Sequence, residues 1–310
     1  MRNTIVLFIL GLLLEGALLG LLTIEDLRRD VYGVWGWVFL AFALYIGAVL
    51  LEQKQIRGRY HLPLIVSFAL LFRLTLFFSE PSLSDDIYRY LWDGKTQNEG
   101  INPYRYAPDA RELAPLRDAT YERINHKEIP TIYPPLAQVV VALTYRLRPT
   151  VGGMKAVMIG IDVTIIYLLI LLLREVGQPT SSVIVYAWNP MVVLETAGSG
   201  HNDGLAVLFL LLALLWLRKK REALSAVALG CSCLAKFFGG VLVPVFVAEI
   251  VRQRREAESG EQITGDRLRN AKCKMQNAKE GREDSLQFSL CNFHFAILSG
   301  KQWTVLTRYI

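Results

Sequence analysis

Two adjacent carboxylates, Asp85 and Asp86, stand in the segment SLSDDIYRYLWDG, residues 82–94. A carboxylate held in a fixed place accepts a proton from a hydroxyl, which is general-base chemistry. The same oxygens suit a divalent cation such as Mg²⁺ or Mn²⁺. Ser82 with Asp85 three residues on fits a capping box, so the spacing predicts a helix from there to Gly94. On a helical wheel Asp85, Asp86, Arg89, Tyr90 and Asp93 fall on one half, and Ile87, Tyr88, Leu91 and Trp92 on the other. The pattern predicts a short amphipathic helix in a membrane interface, its acids turned to water or a cavity. A capped surface helix with an Asp85–Arg89–Asp93 ladder is the plainer reading of the same residues.

Three further groups carry chemistry. His201, Asn202 and Asp203 stand together just before an apolar run, with Glu195 inside the run before them. Asn and Asp are ordinary helix caps, but ionisable groups inside a membrane are functional candidates. Lys236 lies among apolar residues in CLAKFFGGVLVPV, where it either snorkels to the interface or holds an anionic phosphate. Arg73 interrupts another apolar run. Tyr104, Tyr106 and Tyr133, in Pro-rich turns, are suited to stacking on a sugar face or to anchoring at an interface.

The elements that hold these residues are apolar runs rather than the stripes of a soluble domain. The chain has 310 residues, 53% hydrophobic, with a mean hydropathy of +0.32. About 20 apolar residues in a helix cross a hydrocarbon core. An all-α, polytopic transmembrane bundle of about eight spans is therefore expected, at 4–24, 33–51, 62–79, 134–148, 153–173, 181–198, 203–217 and 222–250. The last run is interrupted at Lys236, Gly239, Gly240 and Pro244, which predicts two shorter helices meeting near Lys236. The first run follows Arg2 as a signal peptide would, but its length, Glu15 and the lack of a cleavage site favour a retained helix. The four cysteines make no disulfide framework or metal motif; Cys231 and Cys233 read as small apolar packers.

The net charge of +6 is carried by short clusters between runs, among them Lys54, Arg57 and Arg59; Arg146 and Arg148; and Arg218 to Arg221. That is the excess of cytoplasmic loops, and it calls for no nucleic-acid partner. It places the loop after Phe78 outside the cytoplasm. Arg146 and Arg148 also vote cytoplasmic, so His201 reaches the outside only if a segment within 134–198 is re-entrant or half-spanning. Four regions follow: N-terminal helices over 1–79, an extracytoplasmic loop over 80–132, a second set of helices over 133–254, and a polar tail over 255–310. The tail reads either as disordered or as a truncated or frame-shifted end.

The strings DDIYRYLWDG (85–94), GINPY (100–104), YPPLAQ (133–138), WNPMVVLE (188–195), GHNDGLAV (200–207) and AKFFGGVLVP (235–244) together resemble the polytopic C-type glycosyltransferase superfamily, which uses polyprenyl-phosphate sugars. The likeness is to bacterial polyprenyl-phosphate-mannose-dependent mannosyltransferase-like members. It implies a hexosyl, above all mannosyl, transfer from a polyprenyl-phosphate donor to a glycan or lipid acceptor. The transfer would invert the anomeric centre, at the outer face of a bacterial plasma membrane. Asp86 or Asp85 would be the catalytic acid or base of the first long outer loop. Lys236 and Arg73 would bind the donor phosphate. Arg89, Asp93, Tyr104, Tyr133, His201, Asn202 and Asp203 would line the substrate cavity. No cofactor is expected beyond Mg²⁺ or Mn²⁺ on Asp85 and Asp86. A flippase of lipid-linked sugars and an inactive, truncated remnant of such a transferase are the rival readings.

Overall fold

The computed structural model describes residues 2–256 other than 25, 26, 28, 54–59 and 82. The Lys54–Arg59 cluster, the Ser82 half of the capping box and the tail beyond 256 therefore lie outside the described residues. Among the described residues every regular element is helical. The helices α1 (Arg2–Leu21), α2 (Val31–Gln53) and α7 (Val151–Glu175) are each long and apolar enough to cross a membrane. A bent pair, Pro190–Gly198 with Asp203–Arg218, makes a fourth candidate span. The helices α3 (His61–Phe77), α6 (Pro135–Leu147) and α11 (Glu222–Ala235) are apolar but shorter. The described residues thus hold three or four such spans where the apolar runs suggested about eight. Counting apolar residues does not register where turns and polar residues cut a run.

The outer surface is that of a membrane protein. Helix α2 has a mean hydropathy of 2.2, yet only 11% of its most apolar stretch is buried. Trp35, Phe39, Ile46 and Leu50 on it stay about half exposed, a surface matched to hydrocarbon rather than water. Inward, Trp188 is fully buried, edge-on to Phe68 and Phe72 with ring centroids 5.5 Å away in each case. Its indole N–H donates to the Ile65 carbonyl at 2.9 Å, as a buried Trp must find a partner.

Helix α4 (Asp86–Asn98) departs from expectation in two ways. It runs on past Gly94. A Cβ at Gly94 would lie 2.7 Å from Tyr145 Cβ and 3.0 Å from the Val141 carbonyl on α6, so this glycine permits close helix approach rather than ending the helix. Nor does α4 lie open at an interface, because Ile87 to Gly94 are all buried. The polar half is satisfied by protein. Arg89 Nε donates to Asp93 at 2.8 Å and its Nη2 to the Ile129 carbonyl at 3.0 Å. Gln138 Nε2 on α6 donates to the other Asp93 oxygen at 2.8 Å. Downstream, α5 (Ala119–Glu122) is a single turn capped by Asp118.

The expected helix over 181–198 is broken. A 3₁₀ turn (Thr180–Val183), α8 (Ile184–Ala187), α9 (Pro190–Val193) and a π turn (Leu194–Gly198) follow one another. Pro190 cannot donate to a helix and starts a new one, with Asn189 as its cap. After the break at 199–202 the chain turns by 118° into α10 (Asp203–Arg218). The bend near Lys236 is present: α11 ends at Ala235, Lys236 is extended, and a 3₁₀ helix covers Phe237–Leu242. The chain divides into two compact units, residues 1–243 and 244–310, and the described part of the second is helical as far as 256.

Candidate functional site

Asp86 opens α4, its backbone N–H donating to Ser84 Oγ at 3.2 Å. Asp85 occupies the N-cap position. The GHND turn comes directly against this first turn of α4, and Gly200 is what allows it. Its φ is +74°, and a Cβ there would meet Ile87 Cδ1 at 2.6 Å and Lys155 Cγ at 3.3 Å. An L side chain would be strained and would clash at once.

With Gly200 in place, His201 Nε2 lies 3.7 Å from Asp86 Oδ2. Its Nδ1 is hydrogen-bonded to Glu195 from the π turn, and its backbone N–H donates to the Glu195 carbonyl at 2.9 Å. A carboxylate accepts only, so Nδ1 carries a proton and Nε2 is the nitrogen that faces Asp86. Asp203, in the first turn of α10, pairs with Lys236 at the end of α11. Ser232 Oγ donates to the Ala206 carbonyl at 2.9 Å and keeps these two helices in register. The Tyr133 hydroxyl interacts with both Asp86 and Tyr90, and its ring stands edge-on to Tyr90 at 5.0 Å. Tyr104 Oη donates to the Tyr133 carbonyl at 2.6 Å, fixing the Pro-rich turn. Asn202 is 3% exposed, and neither of its amide atoms has a partner.

Charge is concentrated and accessible here. The side chains of Asp86, Glu195, His201, Asp203 and Lys236 keep between 21% and 54% of their surface exposed. Burial pulls the His201 pKa down, but the Glu195 hydrogen bond and the charges of Glu195, Asp86 and Asp203 outweigh it and hold it above its ordinary value. Burial, with the Asp86 charge, pushes the Tyr133 hydroxyl well up, so it remains a neutral donor. Among the described residues no group of three or more His, Cys, Asp or Glu is arranged to hold a metal.

The structure therefore brings Asp86, Tyr133, His201, Asn202, Asp203 and Lys236 into one region, with Tyr104 behind it. It places three expected site residues elsewhere. Arg73, 1% exposed, is paired with Asp162 inside the bundle and donates to the Ala69 and Ala187 carbonyls at 2.9 Å each. Arg89 and Asp93 are buried in the brace between α4, α6 and the loop. All three carry charge at the right height in the sequence, but their directions are set by packing. Glu195 was visible in sequence as an intramembrane acid without an assigned partner. Lys155 gave no signal at the head of its apolar run. It donates to the Leu76 and Ser79 carbonyls at 2.7 and 2.8 Å, closing the C-terminus of α3 beneath the site.

Compared with known families, residues 13–252 match the model described as alpha-(1->6)-mannopyranosyltransferase, N-terminal domain. No curated protein and no solved structure matches the chain.

Proposed function

Because the chain belongs to the alpha-(1->6)-mannopyranosyltransferase family, we propose that it transfers a mannosyl group from a polyprenyl-phosphate donor to a hydroxyl of a glycan or lipid acceptor at the outer face of the membrane. The observation that carries this reading is the meeting of Asp86, on α4, with the locally paired His201 and Glu195 from a distant segment of the chain.

Asp86 takes the proton of the acceptor hydroxyl as that oxygen attacks the anomeric carbon. The bond from that carbon to the phosphate oxygen breaks, and its electron pair leaves with the lipid phosphate. Lys236 offsets the charge that develops there. Attack and departure on opposite faces invert the centre, so a beta-linked donor yields the alpha linkage. Asp86 passes its proton to His201 Nε2, and Glu195 on Nδ1 stabilises the imidazolium. Asn202, with both amide atoms free, and Tyr133 offer hydrogen bonds to sugar hydroxyls. The family favours bond-forming chemistry over a carrier of lipid-linked sugars.

The test is transfer of labelled mannose from polyprenyl-phosphate-mannose in membranes containing the chain, with and without EDTA. Asp86→Asn is expected to lower the rate by about 10²- to 10⁴-fold. Full transfer by that variant would remove Asp86 from the mechanism, and loss of transfer with EDTA would show that a divalent cation is required.

A further inference from the structure

The group that aims the site is a buried one that the reaction never touches. Asp162, on α7, is fully buried. One of its oxygens accepts from Tyr186 Oη at 2.5 Å, and the other pairs with Arg73 and accepts from Thr196 Oγ1 at 3.3 Å. Arg73 extends the same cluster to the Ala187 carbonyl at 2.9 Å. Tyr186 and Ala187 belong to α8, and Thr196 to the π turn. One ion pair thus holds both halves of the broken segment against α3 and α7.

The π turn matters because of what precedes Thr196. Its neighbour Glu195 is the residue hydrogen-bonded to His201 Nδ1. A π turn forgoes the usual helical register, and such turns persist where surrounding contacts hold them. The Thr196 hydroxyl has one proton, shared between the Val192 carbonyl at 2.7 Å and Asp162 at 3.3 Å. It ties the turn both to its own helix and to α7.

We propose that Asp162, acting through the Thr196 hydroxyl, is a positioning residue that holds the π turn so that Glu195 stays on His201. The inference rests on the proposed transferase site, but it has a readout that needs no activity. The whole chain, in lipid nanodiscs and labelled with ¹³C-histidine, is titrated by NMR, with the His201 signal assigned by its loss in His201→Gln. Glu195→Gln sets the reference, a downward shift of the His201 midpoint by about one pH unit. Thr196→Val is expected to give most of that shift, Thr196→Ser to restore the wild-type midpoint, and the His61 signal to stay put. In the mannose-transfer assay Thr196→Val should lower kcat about tenfold with little change in the donor KM, and Thr196→Ser should recover it. If Thr196→Val does not fold, Thr196→Ala takes its place with the same expectations. A Thr196 variant that keeps the wild-type His201 midpoint, while Glu195→Gln shifts it, overturns the positioning role and leaves the transferase reading intact. A Glu195→Gln midpoint equal to wild type would instead overturn the His201–Glu195 pairing on which both rest.

Discussion

The two nitrogens of His201 face different carboxylates, and in the proposed mechanism that asymmetry sets the direction in which a proton moves. Nδ1 is committed to Glu195, so in the proposed mechanism Nε2 is the nitrogen that takes the proton from Asp86. Against the pull of burial, Glu195 and the other carboxylates raise the His201 pKa above its ordinary value. The neutral, proton-accepting ring is therefore the form above that raised value, and transfer should fall as the pH drops through it. Without the Glu195 charge and hydrogen bond, the ring loses its proton at lower pH. Glu195→Gln should accordingly move the acid limb of the kcat/KM profile to lower pH and lower the plateau about tenfold. A limb that stays in place would show that some other group controls it. The types and positions of Asp86, His201 and Asp203 were readable from the chain, because charge beside apolar runs is rare and costly. Their partners were not. Glu195 reaches His201 only through a π turn, and a sequence in which 181–198 reads as one apolar run gives no sign of the register change. For Arg73, Arg89 and Asp93 the sequence shows charge without direction, and all three point into packed protein.

Among the elements, the GHND turn and α4 form one unit, and Gly200 is the point where they touch. Replacing it with alanine adds a Cβ 2.6 Å from Ile87 at a φ of +74°. The turn must then back away from α4, carrying His201 from Asp86. Gly200→Ala should cost about 1–3 kcal/mol of stability and reduce mannose transfer at least tenfold, read by thermal unfolding and the transfer assay together. Gly160→Ala is the matched control, because a Cβ at Gly160, within α7, meets nothing within 4 Å. It should leave activity unchanged and, if anything, add about 0.5–1 kcal/mol of helix stability. Equal loss in both variants would mean that Gly200 has no special place. The long helices α1, α2 and α7 were legible because apolar length alone defines them. The end of α4 was misread at Gly94 for a physical reason: a glycine signals either a stop or a close approach, and only the neighbouring Tyr145 decides which.

For the molecule as a whole, the positions of the helix ends settle how the chain threads the first unit. Thr4, Glu52 and His61 are hydrogen-bonded together, through His61 Nδ1 to Glu52 at 2.8 Å and Nε2 to Thr4 at 3.2 Å. The start of α1, the end of α2 and the start of α3 therefore share one end. The other end of α3 is closed by Lys155 from the first turns of α7, and there the candidate site sits. Helix α7 runs back to the end that holds His61, where Pro179 and Ser181 border the same cavity of about 210 Å³ as Glu52 and Gln53. The broken segment returns to the site, and α10 leaves it toward Arg218. Both ends of α6 remain at the site end, since Tyr133 precedes it and Arg148 adjoins the start of α7. With both ends on one side, the 13-residue helix α6 is expected to lie along the membrane surface rather than to cross it, which would make Arg146 and Arg148 an exception to the cytoplasmic excess. A cysteine-free version carrying Glu128→Cys, Arg148→Cys or Gln178→Cys tests this threading with a membrane-impermeant maleimide. In intact cells the reagent should label positions 128 and 148, and it should reach 178 only after permeabilisation. Labelling of 128 with protection of 148 would mean that α6 crosses the membrane. Protection of 128 and 148 with labelling of 178 would turn the whole bundle over and place the site in the cytoplasm, away from any acceptor outside it.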